Sequence, residues 1–334
     1  MKNLNFLFFI CLITNLSAQD IHFSQFYHAA PLMNPALTGV FPEDIRFTGM
    51  YRQQWGSVPV PYTTFLGAFD QKFYPGFLKT GFFGLGGNIA YDEQGDSHLS
   101  NMQLSLNAAY VQPLNEENFI SVGFQLSLAQ RSFKEAGLTF NNQYNGDVFV
   151  PTAATGETFS SLKVAKPDFS AGINYHFQNE DSRTRLDLGA ALFHLSKPTF
   201  SFYSNGGVPL SLRMPVCGKS FIQVAPKIDL RVYTLFQWQK PYSELVTGSG
   251  VRYILSDQPG KNYAVSLLAS YRWGDAAIVA GELEFNQWLL GVSYDWNTSP
   301  FEVATNGKGG PEFFVQYLIT KVKPLKTYKA CPIF

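Results

Sequence analysis

The stretch "ISVGFQLSLAQRS" (residues 120–132) alternates without a break. Ile120, Val122, Phe124, Leu126 and Leu128 fall on one side of an extended chain, and Ser121, Gly123, Gln125, Ser127 and Arg131 on the other. A period of two is the signature of a strand with one apolar and one polar face. The pattern recurs. "MQLSLNAAY" sets Met102, Leu104, Leu106, Ala108 and Tyr110 against Gln103, Ser105 and Asn107. "DFSAGINYHF" sets Phe169, Ala171, Ile173, Tyr175 and Phe177 against Ser170, Gly172, Asn174 and His176. "IDLRVYTLFQW", "YAVSLLASYRW" and "WLLGVSYDW" repeat it, and the last two end in Tyr271, Trp273, Tyr294 and Trp296. Long strands whose polar face is Ser, Asn, Gln and Gly with scattered charges suit a wet interior. An apolar face ending in Tyr or Trp suits the aromatic girdle of a membrane barrel.

Composition agrees. Charged residues are 15% of the 334 and aromatics 16%, against roughly 25% charged in ordinary soluble domains. The mean hydropathy of -0.05 is too polar for a bundle of spanning helices, and no apolar run beyond residue 18 approaches the ~20 residues such a helix needs. A net charge of zero gives no reason to expect a nucleic-acid partner. Residues 1–18 read as a signal peptide: Lys2, the apolar "FLFFICLI", then "LSA" before Gln19. Cys11 lacks the flanking residues of a lipoprotein signal. Cys217 and Cys331 are left, and their spacing does not say whether they pair.

Counting alternating segments predicts an all-β, outer-membrane β-barrel of about fourteen antiparallel strands. They fall at 45–54, 62–72, 82–92, 98–111, 118–132, 165–178, 184–197, 214–224, 227–238, 243–255, 262–273, 275–284, 287–297 and 311–320. The parity of the connections supports the count. The fifth (133–164), seventh (198–213) and thirteenth (298–310) are the long ones, as outer loops should be, and "NEE" at 115–117 and "AP" at 225–226 are short; the second, through "YPGFLKTG" (74–81), is the one mildly long exception.

The predicted organisation is therefore a signal peptide (1–18), an N-terminal hatch segment (19–44), a barrel (45–320) and a basic periplasmic tail (321–334). Within "AAPLMNPALTGVF" (29–41), Asn34 is placed to cap a helical turn, Pro35 to open it and Gly39 to end it. Such a turn cannot face lipid with its backbone polar groups, so it is expected to plug the barrel from the periplasmic side. In "YRQQW", Arg52 and Trp55 are expected at the outer rim, either as a girdle with a snorkelling arginine or as a contact for a secreted partner. The loops containing "LTFNNQYNGDVFVPTAATGETF" and "PTFSFYSNGGVPLSL" mix aromatic anchors with Asn, Gly and Ser, which fits either partner binding or folding over the mouth. The tail carries Lys326, Cys331 and the terminal Phe334, and is expected to dock on periplasmic machinery in preference to being a solvated end.

No catalytic reading emerges. His22, His28, His98, His176 and His194 accompany no nucleophile motif, and "DEQGD" (92–96) lacks the ligands of a calcium loop and reads as a turn. No cofactor or metal is expected.

Three stretches, "HFSQFYHAAPLMNPALTG" (22–39), "MYRQQWGSVPVPYTTFLGAFDQ" (50–71) and "FFGLGGNIAYDEQGD" (82–96), resemble the N-terminal part of the PorP/SprF family. "GVSYDWNTSPFEVATNGKGGPEFFVQY" (291–317) and the closing "CPIF" resemble its C-terminal part, although Ile333 stands where the family is usually basic. The resemblance implies a non-enzymatic outer-membrane barrel of the type IX secretion system of Bacteroidetes and its gliding-motility relatives. Its implied partners are a secreted cargo or surface adhesin, other secretion or gliding proteins, and outer-membrane lipid. The "NPA" turn also resembles the hatch of fatty-acid-transporter-type barrels, which leaves a substrate-specific or passive channel as the alternative.

Overall fold

The computed structural model describes residues 20–56, 61–136, 138–204, 206–258, 261–300 and 302–320. The signal peptide at 1–18 and the tail residues Lys326, Cys331 and Phe334 lie outside the described residues.

Fourteen antiparallel strands close into one barrel. The first seven are β1 (Ile45–Gln54), β2 (Tyr62–Phe73), β3 (Phe82–Gln94), β4 (Leu99–Pro113), β5 (Asn118–Ser132), β6 (Lys163–Gln178) and β7 (Arg185–Leu192). A small hairpin, β8 (Thr199–Phe200) with β9 (Val208–Pro209), stands apart from the wall. The wall resumes with β10 (Arg213–Ala225), β11 (Ile228–Gln239), β12 (Tyr242–Gln258), β13 (Lys261–Arg272), β14 (Ala276–Phe285), β15 (Trp288–Asn297) and β16 (Lys308–Ile319). Each strand pairs with its sequence neighbours, and β1 pairs with β16 from Ile45↔Ile319 to Arg52↔Glu312. Closure leaves no unpaired edge, which is the condition for crossing lipid with strands.

The alternation is inside-out relative to a soluble protein. On β4, Leu104 and Leu106 are 52% and 66% exposed, while Ser105 and Asn107 between them are 1% and 4% exposed. β5 repeats this along its length: Phe124, Leu126 and Leu128 face outward, Gln125 and Ser127 are buried. Exposed Trp238, Tyr242, Tyr271, Trp273 and Trp296 belt the end that carries the long connections. Phe73, Tyr74, Tyr175, Phe285 and Trp288 belt the end with the short turns. Short turns face the periplasm and long loops the outside in this class of barrel.

Two expectations are corrected. The seventh strand stops at Leu192, short of residue 197, because His194 and Lys197 adopt left-handed backbone (φ 63° and 46°) that cannot continue a ladder. The N-terminal segment is not confined to the periplasmic side: it begins at the long-loop end, beside His194 and Arg213, and leaves a cavity at either end of the lumen.

Candidate functional site

Residues 20–44 run through the barrel from the long-loop end to the short-turn end, where they enter β1. The segment is built from a 3₁₀ turn (Phe26–His28), a single α-turn, α1 (Ala30–Met33), and a second 3₁₀ turn (Pro35–Leu37). Each is too short to be stable alone. Their support is the wall.

At the long-loop end, Asp20 is 2.5 Å from His194 and 3.0 Å from Arg213, and the other nitrogen of His194 is 2.6 Å from Asp168. Burial pushes the His194 imidazole down, but the two carboxylates outweigh it and lift its pKa to about 9. Burial likewise opposes ionisation of Asp20, and the charges of His194 and Arg213 win, holding it well below the usual carboxylate range. The segment's second anchor is a carboxylate cradle. Glu312 accepts the backbone N–H groups of Ser24 and Gln25 at 2.7 and 2.8 Å, and Ser24 Oγ donates to Asp295 at 2.6 Å. Arg52 donates to Asp295 at 2.9 Å and to the His22 carbonyl at 3.0 Å, and Arg272 donates to Ser24 Oγ at 2.7 Å.

Mid-lumen contact is apolar. Phe23, Phe26, Leu32 and Met33 pack on the inward-facing Met50, Leu66, Leu235, Leu268 and Phe314. His28 stacks on Phe314 with ring centroids 3.8 Å apart, and its Nε2 lies 3.0 Å from Glu282, which also pairs with Arg231.

The Asn34–Gly39 turn is seated on glycine. Asn34 is fully buried; its Oδ1 accepts from Ala36 N at 2.9 Å, and its Nδ2 donates to the carbonyl of Ile173 at 2.8 Å. Pro35 opens the turn, and Gly39 follows it in left-handed backbone, φ +76°. A Cβ at Gly172 would lie 2.0 Å from Asn34 Oδ1, one at Gly189 2.5 Å from Asn34 Nδ2, one at Gly123 2.4 Å from Ala36 N, and one at Gly84 2.0 Å from the Thr38 carbonyl. Four strands thus present bare backbone where the turn docks. Gly39 N–H donates to Asp70 at 2.8 Å, and Asp70 is held by Arg46 through two hydrogen bonds of 2.9 and 2.7 Å.

The sequence-predicted residues therefore separate. Asn34, Pro35 and Gly39 share one buried turn. Arg52 does not project from a rim: it is 2% exposed, inside the lumen, tying the N-terminal segment to Asp295. Its strand position explains this, since Arg52 shares inward parity with Met50 and Thr48. Trp55 is half-buried beyond β1, its ring 5.0 Å from that of Tyr62. Alternation alone missed Leu235 and Leu268. Large apolar side chains on the polar parity of "IDLRVYTLFQW" and "YAVSLLASYRW" were the signal for an apolar object inside.

The long connections pack on one another. Phe133 makes edge contacts with Phe159 and Phe202 at 4.9 and 4.7 Å, Ser160 N–H donates to the Phe202 carbonyl at 2.9 Å, and Arg131 lies 4.8 Å over Phe200. Cys217 faces the lumen beside the apolar cluster and has no disulfide partner among the described residues. Among the described residues no group of His, Cys, Asp and Glu is arranged to hold a metal.

A closed fourteen-stranded barrel with an apolar exterior, two aromatic belts and a filled polar lumen is an outer-membrane β-barrel protein. The sequence matches the family described as type IX secretion system membrane protein PorP/SprF over residues 15–317, and the chain belongs to that family. A comparison with curated proteins returns no match. Among solved structures, the toluene transporter TbuX of Ralstonia pickettii aligns at TM-score 0.49 and 11% identity, over 87% of this chain and 92% of its own. A Pseudomonas aeruginosa FadL homologue aligns at TM-score 0.49 and 11% identity, over 85% and 91%. BamA of Haemophilus ducreyi lacking POTRA domains 1–3 aligns at TM-score 0.42 and 12% identity, over 82% and 70%.

Proposed function

We propose that the protein assists export of secreted cargo, or retains cargo such as a gliding adhesin at the cell surface, through protein–protein contacts and without enzymatic chemistry. The observation that carries this reading is the occupied lumen. A segment bound at three heights by buried ion pairs, apolar packing and a glycine seat is costly to remove, which favours a scaffold over an open pore. The aromatic long loops and the Trp55 rim are the surfaces proposed for cargo. The short-turn end, with the tail bearing Lys326, Cys331 and Phe334, is the surface proposed for periplasmic machinery. Each of His28, His98, His176 and His194 has a ring nitrogen on a carboxylate.

A deletion strain complemented with wild type, and with the 138–159 loop shortened, tests the reading. Loss of a surface or secreted protein in the deletion, not restored by the shortened loop, is the expected result. Normal secretion in the deletion overturns it. A channel is the second reading, favoured by cavities of about 770 and 510 Å³ on either side of the plug; steady solute-selective current through purified wild-type protein would establish it.

A further inference from the structure

Below the plug, at the short-turn end, the lumen widens into a vestibule of about 770 Å³, within the range of small-ligand pockets. Most of its carboxylates are neutralised. Asp229 is held by Arg183 at 2.8 Å and Arg252 at 2.7 Å, Glu284 by Arg252 at 2.6 Å, Glu282 by Arg231 and His28, and Asp187 is hydrogen-bonded to His176 at 2.8 Å.

Two cations are less fully matched. Arg185 makes no hydrogen bond or ion pair among the described residues; its guanidinium lies over the ring of Phe221, 4.0 Å from the centroid. Lys219 Nζ forms a long ion pair with Asp187, 3.8 Å, without a hydrogen bond. Phe221 pairs with Arg185 and Lys219 with Asp187 across the β7–β10 ladder. Arg185 and Lys219 are therefore diagonal neighbours on one face, about 7–8 Å apart at the backbone, a gap long side chains can close around one anion. Charges enclosed by protein are normally paired. A planar guanidinium stacked on an aromatic ring, with its donors free, is the usual receiver of a carboxylate or phosphate. Phe41, Phe82, Phe119 and Tyr263 line the rest of the cavity. Glu43, at the plug's exit, also lines it with Oε2 buried and unbonded, so an entering anion meets one opposing charge.

We propose that this vestibule binds an amphiphilic anion, an apolar chain or ring ending in a carboxylate or phosphate. Its oxyanion lies between Arg185 and Lys219, and its apolar body lies against the aromatic wall. The site is independent of the secretion reading, since it needs neither cargo nor an open lumen.

Calorimetric titration of the full chain in maltoside detergent tests it, with dodecanoate, dodecyl phosphate, dodecanol and inorganic phosphate as probes. Saturable one-to-one binding of either amphiphilic anion is expected, at least tenfold tighter than dodecanol or inorganic phosphate. The tighter of the two anions identifies the source as a free acid or a phosphate headgroup. Arg185→Gln should weaken binding roughly tenfold or more, the loss of one charge-assisted hydrogen bond, and Glu43→Gln should tighten it. The Glu43 variant lies outside the wall and has the opposite sign, so it tests the site even if Arg185→Gln fails to assemble. Equal binding of dodecanol, no saturable binding of either anion, or a Glu43→Gln variant that binds more weakly overturns the proposal.

Discussion

Replacing Gly172 with Ala in the wall of the barrel should unseat a turn that lies 138 positions earlier in the sequence, at Asn34. The new methyl would stand 2.0 Å from Asn34 Oδ1 and 3.0 Å from its Cγ, so the amide must leave. Leaving breaks two hydrogen bonds, to Ala36 N and to the Ile173 carbonyl. At about 1 kcal/mol each, and more where a buried group is left unpaired, the cost is about 2–3 kcal/mol. That shifts the seated-to-displaced equilibrium roughly 30- to 160-fold. The strand itself is not harmed, because Gly172 has ordinary extended backbone and Ala is the better strand residue. The double variant gives the sharper expectation. With Asn34→Ala in place the clashing atoms are gone, and Gly172→Ala should cost almost nothing further beyond a slight adjustment against Ala191 Cβ at 3.1 Å. The two changes should therefore be non-additive by about 2 kcal/mol. Opening frequency in planar bilayers, with the thermal midpoint of the heat-modifiable barrel band as a fold control, reads both quantities. Additive effects, or a Gly172→Ala variant as quiet as wild type, would refute the seat.

Three further outcomes follow from the other anchors. The His194 pKa is raised to about 9, so its contribution is complete below about 6.5 and is lost as pH rises through 9, whereas that of Asp20 is present above its ordinary 3.8 and is lost in strong acid; bilayer openings should increase above pH 9, and His194→Gln should remove that alkaline step. Arg52→Ala leaves the buried Asp295 with Arg272 alone among its cationic partners and should lower barrel stability by about 3 kcal/mol, the low end for breaking a buried pair, read as a drop in the denaturant midpoint. Phe202→Ala removes one of the two aromatic contacts that join the long loops, leaving Phe159 on Tyr203, and should speed protease cleavage between 133 and 162 without moving the thermal midpoint of the barrel.

The wall was legible because one local rule, alternation, governs every strand, and lipid makes the rule visible by demanding Leu, Phe and Val outside. Strand ends missed by a few residues where backbone conformation decided them, as at His194. The turn at Asn34-Pro35 was legible for the same reason: its cap, opening proline and closing glycine are neighbours in sequence. The route of the plug was not. Its partners are remote, Ile173 for Asn34, Glu312 for Ser24 and Asp168 for the His194 that holds Asp20, and alternation says which way a charge points without naming what it meets. Arg52 illustrates the limit. Position and neighbours suggested a rim, but parity with Met50 turned it inward onto the plug.

If the N-terminal segment is what closes the barrel, its removal should leave a lumen wide enough to conduct. Removing residues 21–39 and recording single-channel current in planar bilayers tests it most directly. The wild-type protein is predicted to be silent, and the deletion, still folded by its heat-modifiable mobility, to pass a steady current through a lumen lined by Ser, Asn, Gln and paired charges. A wild-type protein that conducts steadily, or a folded deletion as silent as wild type, would mean that the segment is not the closure.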